Sequence, residues 1–92
     1  MKIVKAVHVS YGDNFVTLTD SVCKGDIVSF AEGGAERSIT SLVDIPKWHK
    51  MAITTIEKGS YIYKYGAVIG SAFKDIKAGD NVHIHNMRSP GG

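Results

Sequence analysis

The chain has 92 residues, 43% hydrophobic and 22% charged, a globular composition with room for one small domain and no second core. Eleven basic and nine acidic side chains are scattered along it and leave a formal charge of +2, without the basic stripe that nucleic-acid binding needs. Lys5, His8 and Asp13 interrupt the apolar N-terminus and nothing later reaches membrane-spanning length, so the expectation is a cytoplasmic protein with neither signal peptide nor membrane segment.

In chain order, apolar and polar residues alternate from Lys2 to Val9 and again from Asn14 to Leu18, the period of half-buried strands. The first of three similar segments follows: Val22-Cys23-Lys24-Gly25-Asp26-Ile27-Val28, Ile56-Glu57-Lys58-Gly59-Ser60-Tyr61-Ile62 and Ile76-Lys77-Ala78-Gly79-Asp80-Asn81-Val82. Each sets an apolar residue three places before a glycine and another three after it. Glycine reaches positive φ freely, so each copy predicts a tight turn that delivers the chain into a new strand. Asp20 and Asp75 stand ahead of the first and third copies, where they are expected to cap a single helical turn. Phe30 to Arg37, with its Gly33-Gly34 pair, is expected to be an exposed loop or hairpin tip.

β-Branched character returns from Ser38 to Val43, Pro46 forces extended backbone before it, and a strand is expected to resume over Met51-Ala52-Ile53-Thr54. Tyr61-Ile62-Tyr63-Lys64-Tyr65 alternates as a strand, Gly66 and Gly70 bracket a short apolar run, and residues 88–92 form a flexible tail or linker stub after a domain over 1–87. The fold class read from this pattern is mostly β, with short strands, glycine turns and at most short helical turns.

Four histidines carry the chemical interest. His83 and His85 in the stretch Asn81-Val82-His83-Ile84-His85-Asn86 would share one strand face, roughly 6.5–7 Å apart. Both imidazoles then reach one metal or one anionic ligand, although a metal needs a further donor from elsewhere; a solvated strand face is the default reading. His49 lies between Lys47 and Lys50 beside Trp48, a cationic spot with an aromatic wall that suits a carboxylate or a plain polar loop. Lys64, between two tyrosines and before Gly66, sits where a ligand can approach the backbone closely. Cys23 is the lone cysteine, so it can form no disulfide within the chain, and it reads as a small side chain before a turn. No phosphate loop, Ser-His-Asp order or Cys-His zinc pattern is present.

Taken together, Asp13-Asn14, Asp44-Ile45-Pro46-Lys47-Trp48-His49-Lys50-Met51-Ala52, Lys58-Gly59, Ile62 to Ala72 and Asp75 to Asn86 resemble the SAF-type N-terminal domain of the altronate and galactarate dehydratases. The valine-histidine-x-histidine-asparagine ending is most similar to the altronate dehydratase and sulfolactate sulfo-lyase branches. The resemblance implies a β-clip fold and a partner, a large catalytic subunit or domain. It implies a hydro-lyase reaction that turns a sugar acid into a 2-keto-3-deoxy acid, or expels sulfite in the sulfo-lyase branch, with a divalent metal, iron(II), as Lewis acid. Carried over residue by residue, it marks His83 and His85 as catalytic residues or metal ligands, and His49, Lys50, Lys64, Tyr65, Gly66 and Asn86 as substrate-binding. Two departures stand out: Trp48 occupies the place where the family has glycine, and Ala67 replaces the common glutamate. The resemblance leaves room for another class, a non-catalytic carbohydrate-binding or assembly module of SAF type, and for self-association through a strand bearing Tyr61, Tyr63 and Tyr65.

Overall fold

The computed structural model describes residues 2–8, 12–64, 67–83 and 85–88. Among these residues nine strands follow in chain order: β1 (Ile3–Val7), β2 (Phe15–Leu18), β3 (Ile27–Glu32), β4 (Ala35–Thr40), β5 (Lys50–Ala52), β6 (Tyr61–Lys64), β7 (Ala67–Ala72), β8 (Asn81–Val82) and β9 (Met87–Arg88). There is no helix among the described residues. The expectation of a small, mostly β domain therefore holds. Six strands pair in the order β4-β3-β1-β2-β5-β8, and the other three in the order β6-β7-β9. Residues 30–37 are not loop for most of their length: β3 and β4 pair without a break from Ile27↔Thr40 to Glu32↔Ala35, and only Gly33-Gly34 form the tip.

The tight turns organise the fold, and among the described residues four, rather than three, follow this pattern. Ile45-Pro46-Lys47-Trp48-His49-Lys50-Met51 follows the same rule, with Trp48 in the glycine position. Each turn is closed by the same backbone bond: Asp26 N to Cys23 O, His49 N to Pro46 O, Ser60 N to Glu57 O and Asp80 N to Lys77 O, at 2.9–3.1 Å. The third turn residue has positive φ in every copy: 95° at Gly25, 69° at Trp48, 90° at Gly59 and 97° at Gly79. A type II turn requires that geometry at its third position. Side-chain carboxylates reinforce the turns, since Asp26 and Asp80 accept from the backbone of Cys23 and Lys77 in their own turns. Asp44 and Asp75 reach across to the backbone N of Lys24 and Lys58. Asp75 thus caps a neighbouring turn and no helical turn of its own, while Asp20 accepts from Ser21 N and pairs with Lys2 at 3.2 Å.

The apolar residues three before and three after each turn residue form the core. Val22, Val28, Ile45 and Met51 lie in one buried cluster, and Ile56, Ile62, Ile76 and Val82 in a second. The units also meet in pairs, through antiparallel bridges at Val22↔Ile45 and Ile56↔Ile76. β2 and β5 form the wall between the clusters: Val16, Leu18 and Met51 face the first, Phe15 and Ala52 the second. Strands covered on both sides lose strict alternation and become nearly continuous apolar runs, as Phe15-Val16 and Met51-Ala52-Ile53 are. Asn14 ties the second sheet to this wall. Its amide donates to Tyr61 O, its side-chain oxygen accepts from Tyr63 N, and its backbone O accepts from Ile53 N. Tyr63 N and Tyr61 O are thereby satisfied beside the register shift between Ile62 and Tyr63.

Candidate functional site

The site grows out of the β5–β8 ladder. Lys50 pairs with Val82 and Met51 with Asn81, so the antiparallel register carried one step outward sets His49 opposite His83. Their rings meet at 4.9 Å between centroids, tilted by 34°. His49 is delivered by the Trp48 turn, and the chain is pinned there to the end of β2 by Trp48 N to Leu18 O and Leu18 N to His49 O, both 3.0 Å. The His49 ring is half-buried with its Nδ1 closed off from solvent and without a hydrogen-bond partner, whereas His83 is exposed.

Alternation along the two strands sorts the other candidates. Met51 and Asn81 share the face of His49 and His83, while Lys50, Ala52 and Val82 point the other way. Lys50 accordingly sets its ammonium 5.7 Å from the centre of the Phe15 ring, apart from the adjacent His49. Lys64 belongs to β6, in the other sheet, and is half-buried there. Tyr65 and Gly66 lie outside the described residues.

His85 does not follow His83 on the same strand face. β8 ends at Val82, and the chain turns at once: Asn86 N and Met87 N both bond to His83 O, at 3.0 and 2.9 Å. Asn86 is the keystone of this turn and is buried. Its Oδ1 accepts from His83 N, its amide donates to Asn81 O, and the same amide lies 3.1 Å from His85 Nε2, which accepts in the Nδ1-protonated tautomer. An Asn that spans its own turn in this way replaces the strand ladder with local bonds, which is why the two-residue period breaks after Val82. The ring brought against His83 is that of His49, and His85 is held by Asn86.

Two imidazoles make a partial donor set. Among the described residues no group of three or more His, Cys, Asp or Glu side chains gathers to hold a metal. The buried, unpartnered Nδ1 of His49 still suits a hydrogen-bonding or ligating role, so the pair fits a shared site that other residues complete.

Sequence reasoning missed the Trp48 turn and the buried Oδ1 of Asn81. The spacing of Ile45 and Met51 about residue 48 was the available signal for the first. Beside the turn that starts at Val22, a shallow cavity of about 250 Å³ is lined by Cys23, Asp44 and Pro46 among others, and the Cys23 thiol is free and exposed. No described helix is long and apolar enough to cross a membrane.

Residues 4–90 match the family described as the altronate/galactarate dehydratase SAF domain. Altronate dehydratase from Escherichia coli (strain K12) is 38% identical over 77 residues, which is 84% of this chain and 15% of that protein. Altronate dehydratase from Bacillus subtilis (strain 168) is 41% identical over half of this chain and 9% of that protein. The (2R)-sulfolactate sulfo-lyase subunit alpha of Paracoccus pantotrophus is 35% identical over 55% of this chain and 76% of that protein. The chain thus spans a small fraction of the altronate dehydratases and most of the sulfo-lyase subunit. With that match over nearly its whole length, the chain belongs to the altronate/galactarate dehydratase SAF-domain family.

Proposed function

We propose that this chain is the small subunit or N-terminal domain of a sugar-acid dehydratase of the altronate or galactarate type, working in the cytoplasm with a large catalytic subunit. The observation that carries the reading is the His49–His83 pair, presented at a strand end with one buried, unpartnered nitrogen. Two altronate dehydratases and a sulfo-lyase subunit among its relatives support the reaction class.

The reaction removes the proton next to a carboxylate and expels the neighbouring hydroxyl, leaving a 2-keto-3-deoxy acid. It needs a base, stabilisation of the enolate-like carboxylate and help for the leaving group. His49 and His83 offer two imidazoles to one substrate edge, able to accept or donate a proton or to join a metal shell. His85 is the further metal or substrate contact, with Asn86 fixing its orientation. A bound iron(II), with its shell completed by the large subunit, would supply Lewis acidity toward the carboxylate or the departing hydroxyl. Lys64, Tyr65 and Gly66 are the remaining substrate-binding candidates, and Lys50 acts from the opposite strand face.

The test is co-purification of the tagged chain from its native cells, then assays on altronate, galactarate and sulfolactate with iron(II). A large partner whose dehydratase activity falls on His83→Ala or His85→Ala supports the reading. Absence of both partner and activity removes it. Activity on sulfolactate alone would assign the chain to the sulfo-lyase branch. A second reading, a non-catalytic carbohydrate-binding or assembly module, draws on exposed Trp48 and Tyr61, with the Tyr61–Tyr63 pair on an edge strand suited to self-association.

A further inference from the structure

Two buried side-chain polar atoms have no hydrogen-bond partner among the described residues: Nδ1 of His49 and Oδ1 of Asn81. They are 32 positions apart in sequence, yet the register sets them on the same face. Met51 opposite Asn81, with His49 two residues before Met51, puts both side chains on one face at the end of the β5–β8 ladder, beside His83. Buried polar atoms are almost always bonded, so two orphans on one face call for a common cause. Asn81 does not belong to the histidine motif and its backbone is already engaged: its carbonyl accepts from Asn86.

We infer that Asn81 and His49 form a hydroxyl-binding subsite that helps determine specificity, Asn81 Oδ1 accepting the hydroxyl proton while His49 Nδ1 bonds to the hydroxyl oxygen or one of its neighbours. A hydroxyl donates one proton and accepts at its oxygen, which matches a carbonyl oxygen beside an imidazole whose Nδ1 is protonated and donates. Both atoms are closed off from solvent and the exposed His83 ring lies against His49, so the proposed route of entry is a rotamer change of that surface side chain. Resting on the dehydratase reading, the inference assigns the hydroxyl to a polyhydroxy acid such as altronate.

The substitution Asn81→Leu separates this from a structural role, because it replaces an unpartnered oxygen with an apolar group of similar size. Melting of the 92-residue chain alone should show an unchanged or higher Tm; a fall of about 4 °C or more would mean that Asn81 is bonded in the free protein, and would overturn the inference whatever the activity. In the complex with the large subunit, KM for altronate should rise about tenfold with kcat little changed. An unchanged KM beside an active wild-type complex would sink the subsite and leave the dehydratase reading intact. His49→Phe and Asn81→Leu should raise KM by no more together than the larger of them does alone, and fully independent effects would count against one shared ligand. A wild-type complex inactive on every acid tested would remove the reading and this assignment of ligand with it.

Discussion

Gly79 and Gly25 occupy equivalent places in two copies of the same turn, with φ of 97° and 95°, and an alanine at each meets different surroundings. At Gly25 a Cβ would touch nothing within 4 Å. The substitution there carries only the left-handed backbone penalty of about 1–2 kcal/mol, less about 0.4–1 kcal/mol returned by the stiffer unfolded chain, a net destabilisation near 1 kcal/mol. At Gly79 the same Cβ would lie 2.5 Å from Thr40 O and 3.1 Å from Leu42 Cγ. Neither neighbour yields easily, because Leu42 N is bonded to Gly79 O at 3.0 Å and Thr40 closes the β3–β4 ladder against Ile27. Overpacking of this kind adds about 1–3 kcal/mol, so Gly79→Ala should cost about 2–4 kcal/mol. Urea unfolding with a common m-value, and thermal melts in which each kcal/mol moves Tm by about 4–8 °C, would read the difference. Gly59→Ala, also with an open Cβ position, serves as a second control. Equal losses at Gly25, Gly59 and Gly79 would refute the claim that close approach of residues 40–42 makes Gly79 special.

Trp48→Gly should leave stability within about 1 kcal/mol of the parent, since relief of the left-handed strain is offset by unfolded-chain entropy, whereas β-branched Trp48→Val should be clearly less stable by urea titration. Asn86→Leu removes the acceptor for His83 N and the donor to Asn81 O, and hydrogen exchange at His83 should accelerate at least tenfold as the turn after β8 opens. Ile76→Ala, at a fully buried bridge position, should cost about 2–5 kcal/mol in chemical denaturation, and a loss below 1 kcal/mol would contradict the packing described for the second core. Bonds from Cys23 N and Lys2 N, with the Lys2 charge, hold the Asp26 carboxyl below the ordinary aspartate range. Its folded-state value is depressed, so its contribution is complete above about pH 3.9 and is lost as pH falls through the folded value. Acid melts of Asp26→Asn should therefore converge with those of the parent at the lowest pH, and parallel curves at all pH values would argue against it.

Much of this molecule is written locally. A glycine flanked three places away by apolar residues marks three of the four turns, because positive φ is a demand on one residue and burial of its flanks a demand on two more. The β character of the strands is legible for the same reason: alternation and β-branching act over a few neighbouring residues. The fourth turn escaped because Trp48 carries none of glycine's signature while adopting glycine's backbone, under the constraint of bonds to Leu18 and Pro46.

The site was legible only in its members. The residue motif named His49, His83, His85 and Asn86, but which ring meets which depends on the pairing of β5 with β8, some thirty residues apart, and on the turn that Asn86 closes. A one-residue difference in register would have exchanged His49 for Lys50 on that face, since side chains alternate with period two. The order of residues by itself thus determined a small β domain of glycine turns and the histidines available to it. Tertiary structure decided that His49, and not Lys50, meets His83, because facing is a property of long-range strand register that no local pattern carries.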